Sequence, residues 1–156
     1  MKTTVLLVDD NKEMLAGMHC VFNRTNEFEI IGDARDGLQA IQLVRKLKPD
    51  VVIMDITMPY MNGIDATRKI VSENSRTKVI ALSMHSEWAY AANMVEAGAS
   101  GYLLKEYIIE ELENAIKAIV NGGMYVSKRI SDVSSISTRE RLSRRQKTMR
   151  ENYESI

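Results

Sequence analysis

Cysteine is nearly absent from this chain: Cys20 is the only one among 156 residues. That rules out an internal disulfide framework and suits a reducing compartment, with Cys20 expected as an inert thiol in the first helix. Long apolar runs are missing as well, and none approaches the roughly 18 residues that a membrane span needs. The chain passes from Met1-Lys2 straight into a strand-like run, so no leader peptide is expected and the expected location is the cytoplasm. An excess of one charge is missing too, since 21 basic residues balance 21 acidic ones. The balance is uneven along the chain, with 13 basic and 17 acidic residues through Val126 but 8 basic and 4 acidic from Ser127 onward. A mildly acidic front and a basic tail point to two parts with different jobs.

What is present is ordinary globular material, 45% apolar and 27% charged, enough for one domain with a tail. Five short apolar runs punctuate the front part: Val5-Leu6-Leu7-Val8, Glu29-Ile30-Ile31-Gly32, Val51-Val52-Ile53-Met54, Val79-Ile80-Ala81-Leu82 and Gly101-Tyr102-Leu103-Leu104. Between and after them, residues 12–23, 37–47, 64–73, 87–97 and 107–120 carry helical periodicity. In the last of these, Ile108, Leu112, Ala115, Ile116 and Ile119 form one apolar stripe, and Asn121-Gly122-Gly123 stops the helix. The first, third and fourth runs are nearly continuous and β-branched, as strands covered on both faces should be. Strict β-α alternation predicts an α/β fold: a doubly wound, flavodoxin-like five-stranded parallel sheet, strand order 2-1-3-4-5, with helices on both faces. Residues 1–124 form this domain, and 125–156 are expected to be a linker and basic tail. There is no internal repeat.

Doubly wound sheets place their reactive groups beyond the carboxyl ends of the strands. Here those ends carry Asp9-Asp10, Asp55, Ser83 and Lys105. Three carboxylates held together repel one another, so a purely structural cluster is a poor explanation and a divalent cation a good one. Oxygen ligands without His or Cys favour Mg²⁺, with Mn²⁺ as the other candidate. Asp10 and Asp55 are expected as direct ligands, Asp9 acts through a water, and the backbone carbonyl of Thr57 could face the ion. Pro59 restricts the following loop, and Gly63 permits a positive φ at its turn; a plain connection would use the same residues. Ser83 and Lys105 are each unremarkable alone. Beside Asp55 they supply a hydrogen-bond donor and a fixed positive charge.

These segments together resemble a known pattern. Val5-Leu6-Leu7-Val8-Asp9-Asp10, Met54-Asp55-Ile56-Thr57-Met58-Pro59 with Asn62-Gly63, Ala81-Leu82-Ser83 and Gly101-Tyr102-Leu103-Leu104-Lys105 resemble the bacterial response-regulator receiver domain over about residues 2–124. The last segment and Asp36-Gly37-Leu38-Gln39-Ala40 are most similar to receivers of the NarL/FixJ type. The resemblance implies that Asp55 is a nucleophile taking phosphate from a sensor histidine kinase or a small acyl phosphate. It implies that Asp9 and Asp10 hold Mg²⁺, that Lys105 contacts a phosphoryl oxygen, and that Ser83 bonds the phosphoryl group. Tyr102 takes the aromatic switch position and would turn inward as Ser83 moves; a half-buried strand aromatic is the competing reading. Helix 87–97, strand 101–105 and helix 107–120 would form the responding face and a homodimer contact. His85 either tunes the phosphoryl lifetime or is a plain loop histidine, and Trp88 and Tyr90 serve either a partner or the core.

Two other functions share part of this pattern. A Mg-dependent aspartyl phosphatase of the haloacid-dehalogenase type needs an acid two residues past its nucleophile, where this chain has Thr57. A flavodoxin-type flavin binder needs a hydroxyl- and glycine-rich first loop, and Asp9-Asp10-Asn11 would repel its phosphate. Receivers of this type often belong to DNA-binding transcriptional regulators, and Ile136-Ser137-Thr138-Arg139-Glu140 faintly resembles the opening of a helix-turn-helix domain. After Glu140 the apolar spacing of a packed helix is lost. Residues 127–156 are therefore expected to hold at most one helix near 138–152 and not to read DNA sequence.

Overall fold

The computed structural model describes residues 2–56, 58 and 62–130. The helix expected near 138–152 and the basic run around it lie outside the described residues. A six-stranded, all-parallel sheet runs in the order β2-β1-β3-β4-β5-β6. Its strands are β1 (Thr3–Val8), β2 (Phe28–Ala34), β3 (Val51–Asp55), β4 (Lys78–Ser83), β5 (Gly101–Leu104) and β6 (Tyr125–Val126). The helices are α1 (Lys12–Phe22), α2 (Gly37–Leu47), α3 (Gly63–Glu73), α4 (Trp88–Glu96) and α5 (Ile108–Val120).

The alternation along each strand divides the core. Val5, Leu7, Ile53, Ile80 and Leu103 face α1 and α5, whose Leu15, Met18, Phe22, Leu112, Ile116 and Ile119 cover them. Leu6, Val8, Val52, Met54 and Val79 face α2 and α3 through Ile41, Val44, Ala66 and Ile70. A third cluster joins α4 to Ala81, Tyr102 and Leu104. β1 and β3, buried on both faces, are the rigid centre from which Asp9 and Asp55 project. Truncating a side chain such as Ile53 to alanine would cost about 2–5 kcal/mol through lost burial and the cavity left behind.

The sheet has one strand more than the five expected from the sequence. β6 is only two residues long, too short to show a period of two, and it exists because β5 offers it an edge, with Gly101 opposite Tyr125 and Tyr102 opposite Val126. Lys105, expected as the last residue of strand five, instead opens a short 3₁₀ turn (Lys105–Tyr107) that turns the chain into α5.

Candidate functional site

Three strand ends and one turn converge at the carboxyl edge of the sheet. The β1–β2 pairing runs one step past β1, because the Asp9 N–H donates to the Ala34 carbonyl at 3.0 Å, and this fixes where the Asp9 side chain emerges. Asn11 then caps α1 by accepting from the Glu13 and Met14 N–H groups at 2.8 and 3.2 Å, while its own N–H donates to Asp9 Oδ1 at 2.9 Å. The tight strand-to-helix turn thus orients the two neighbouring acids differently: Asp9 is buried and Asp10 exposed. Asp55 ends β3 and is buried, and one ligand oxygen from each of the three acids lies within 4.8 Å of the others.

Lys105 reaches into this cluster. Its Nζ lies 3.2 Å from Asp9 Oδ2 and 3.3 Å from Asp55 Oδ1. At an effective dielectric near 20, carboxylates no more than 4.8 Å apart repel by roughly 3 kcal/mol or more per pair, and each lysine contact returns about 5. One ammonium among three carboxylates still leaves a formal surplus of two negative charges. Asp9 Oδ2 is moreover buried without accepting a hydrogen bond, although Lys105 is within ion-pairing distance. A buried anion oxygen short of donors, in an all-oxygen cluster, fits a hard divalent cation. Thr57, expected to offer its backbone carbonyl, lies outside the described residues, as does Pro59.

Gly63 has a different reason for being glycine than the sequence suggested. Positive φ among the glycines occurs at Gly98 and Gly122, not at Gly63. A Cβ on Gly63 would stand 2.3 Å from the Asp55 carbonyl oxygen and 2.5 Å from Ile56 Cα. The first turn of α3 packs directly on the backbone of Asp55, and the Gly63 N–H donates to the Ile56 carbonyl at 3.3 Å.

Ser83 ends β4, next to β3 in the sheet, and is buried. Its Oγ accepts the His85 N–H at 2.9 Å, and its hydroxyl also hydrogen-bonds the Tyr102 phenol. Tyr102 is fully buried, not half-buried, and its hydroxyl donates to the His85 carbonyl at 2.7 Å. Burial pushes the Tyr102 phenol up to about 12, with the hydrogen bond to the Ser83 hydroxyl acting the other way. Tyr102 therefore already points inward, without the movement of Ser83 that the sequence reading invoked. The backbone of His85 joins the two, a link with no signature in the sequence because any residue carries the same backbone groups. The His85 ring stacks on Tyr90 at 4.1 Å, whereas Trp88 packs against the α4 cluster.

Glu111 also escaped the sequence reading. It sits one residue from Leu112 within the apolar stripe of α5 and is buried. A carboxylate inside such a stripe was the available signal.

The comparisons with known proteins agree with this geometry. The family profile described as response regulator receiver domain matches residues 5–117. The transcriptional regulatory protein DegU of Brevibacillus brevis is 37% identical over 130 residues, covering 83% of this chain and 55% of DegU. The response regulator UvrY of Escherichia coli K12 is 35% identical over 133 residues, 85% of this chain and 61% of UvrY. The chain thus spans little more than half the length of these curated relatives. The crystal structure of a LuxR-family two-component response regulator from Aurantimonas sp. SI85-9A1 superposes with a TM-score of 0.79 at 35% identity, covering 83% of this chain and 93% of that one. By its strand order, its acidic strand ends and these matches, the chain belongs to the response-regulator receiver domains of two-component signalling.

Proposed function

We propose that this receiver is a phosphorylation-controlled switch with Asp55 as its acceptor. The observation that carries the reading is the buried Asp55 carboxylate, with Lys105 Nζ at 3.3 Å and ligand oxygens of Asp9 and Asp10 within 4.8 Å. In the reaction, an Asp55 carboxylate oxygen attacks the phosphorus of a phosphohistidine on a sensor kinase, or of a small acyl phosphate. The P–O bond to Asp55 forms as the bond to the leaving imidazole or carboxylate breaks, and a leaving imidazole takes up a proton. Lys105 holds an oxygen of the transferring group, and the Ser83 O–H donates to it once it is attached. Asp9, Asp10 and Asp55, with the Thr57 carbonyl, would hold Mg²⁺ or Mn²⁺, which supplies neutralising positive charge to the transferring group. Asp10 and Asp55 are the direct ligands in this reading, and Asp9 acts through water.

Phosphorylation adds about one further negative charge and strong acceptor oxygens at Asp55. Ser83 and Lys105 bond that group better in one arrangement of the 83–87 loop, and Tyr102 senses the arrangement through His85. The equilibrium then moves by this differential affinity and no more. No turnover of an external substrate is part of this function beyond self-phosphorylation and self-dephosphorylation. Among the described residues, no helix is long and apolar enough to cross a membrane; the cytoplasm is the proposed location.

Transcriptional control is the proposed output, resting on the longer relatives. Residues 1–124 with the short β6 form the receiver in this reading. The basic residues beyond act as a connection that binds nucleic acid at most weakly and without reading sequence.

The direct test is incubation with Mg²⁺ and acetyl phosphate. One acid-stable, base-labile phosphoryl group is expected, and it should be lost in Asp55→Asn. Modification that survives in Asp55→Asn would overturn the assignment.

A further inference from the structure

The segment that follows α5 does not leave the receiver at once. Past the turn at Gly122, Tyr125 and Val126 pair with β5, and the Ser127 N–H donates to the Tyr102 carbonyl at 2.8 Å. Val126 and Ile130 are buried in the same cluster as the Tyr102 ring, beside Met94 of α4. The Arg129 guanidinium lies 4.6 Å above the Tyr107 ring.

One side chain on α5 gathers the segment. Glu111, only 6% exposed, accepts the Tyr125 hydroxyl at 3.1 Å, the Ser127 hydroxyl, and the Lys128 N–H at 2.9 Å. A buried carboxylate is costly unless its oxygens are bonded, and here all three donors come from four consecutive residues of the strap. Two buried apolar side chains and a handful of hydrogen bonds oppose the entropy of ordering six residues. These terms oppose one another, so the strap's engagement responds to a bias at the residues it rests on.

Tyr102 is where that bias enters. Its backbone carbonyl holds the strap and its ring shares a buried cluster with Val126 and Ile130, while its hydroxyl donates to the His85 carbonyl and bonds the Ser83 hydroxyl, which also accepts the His85 N–H. We infer that residues 125–130 are a docked strap, clasped by Glu111, whose engagement is set by Tyr102, so that the phosphoryl state of Asp55 is read out by the chain segment leaving the receiver. The inference rests on Asp55 as acceptor and Ser83 as its sensor. A phosphoryl group that anchors Ser83 fixes the His85 carbonyl, holds Tyr102 inward and tightens the strap. Linkage makes the effect reciprocal: loosening the strap weakens the phosphoryl mimic by the same factor.

Amide exchange on the whole chain, with Mg²⁺ and with or without beryllofluoride, tests this. The Ser127 and Lys128 amides should exchange about fivefold or more slowly with beryllofluoride, the lower range of typical couplings. Glu111→Gln, and the milder Ser127→Ala, should shrink that ratio and weaken beryllofluoride binding by a matching factor. Should the 83–87 amides respond while Ser127 and Lys128 do not, the strap is passive and the inference fails. It fails equally if both variants lower thermal stability yet leave the ratio intact, because Glu111 is then structural only. Absence of any response at 83–87, together with no phosphoryl uptake from acetyl phosphate, would instead remove the acceptor assignment on which the inference stands.

Discussion

At Gly63 the chain has no room for a side chain. The Asp55 carbonyl would lie 2.3 Å from a Cβ there, and that obstacle is backbone, which cannot swing aside as a flexible side chain could. Gly63→Ala is expected to cost about 2–4 kcal/mol, at or above the usual cost of overpacking, because α3 must move away from β3. Urea unfolding measures it, and a loss below about 0.5 kcal/mol, the range of neutral surface changes, would contradict the contact. Tyr102 offers a second test at this scale. Its phenol is pushed from 10 up to about 12, chiefly by burial, so the folded state keeps a proton that the unfolded state gives up. The associated stability is complete below pH 10 and is lost as pH rises towards 12. Tyr102→Phe should therefore lose stability less steeply than the parent in that window, by up to one proton's slope. An identical slope would show that the phenol ionises without regard to folding. The same substitution leaves the His85 carbonyl without its donor, worth about 1–3 kcal/mol at neutral pH. Asp9, Asp10, Asp55, Ser83 and Lys105 were legible as candidates because each closes or directly follows a legible apolar run, although Lys105 opens a turn instead of ending its strand. The inward Tyr102 was not, since a strand aromatic reads the same whichever rotamer it adopts.

Elements come next, and α1 shows how an element serves the site. Asn11 satisfies two N–H groups at the helix start, and its own N–H holds Asp9. Asn11→Ala is expected to cost about 1 kcal/mol of stability, a typical loss for an N-cap. It should also loosen Mg²⁺ binding, because the turn between Asp9 and α1 is no longer pinned; unchanged Mg²⁺ affinity alongside lost stability would confine Asn11 to capping. All five helices were visible in the sequence, α2 with both boundaries correct at Gly37–Leu47. Hydrophobic period is a local property, and eleven residues give it time to repeat. β6 was invisible for the opposite reason. Two residues have no period, and Tyr125-Val126 become a strand only because β5 lies open beside them.

For the molecule as a whole, the question is which surface meets a partner. The expected dimer face comprises α4, β5 and α5, yet β5 is flanked by β4 and β6 and offers no open edge. What remains on that side is helical, with Tyr90 on α4 and Ile109 on α5 among the exposed large apolar residues. We expect beryllofluoride with Mg²⁺ to shift sedimentation towards a dimer. Ile109→Asp should weaken that shift about tenfold, as loss of one central contact does, while Leu38→Asp on α2 should not. The reverse pattern would move the interface to the opposite edge of the sheet, where α2 lies by β2. The sequence by itself determined the layered α/β fold and the acidic strand ends, because both follow from local period and from where each strand stops. Through its resemblance to the receiver pattern it also marked Asp55 as the phosphoacceptor candidate. Only the tertiary structure decided the steric role of Gly63, the inward Tyr102, the burial of Glu111 and the docking of residues 125–130. Each of these depends on groups far apart in the chain meeting at one place, and no local pattern of residues encodes which side of such a contact closes.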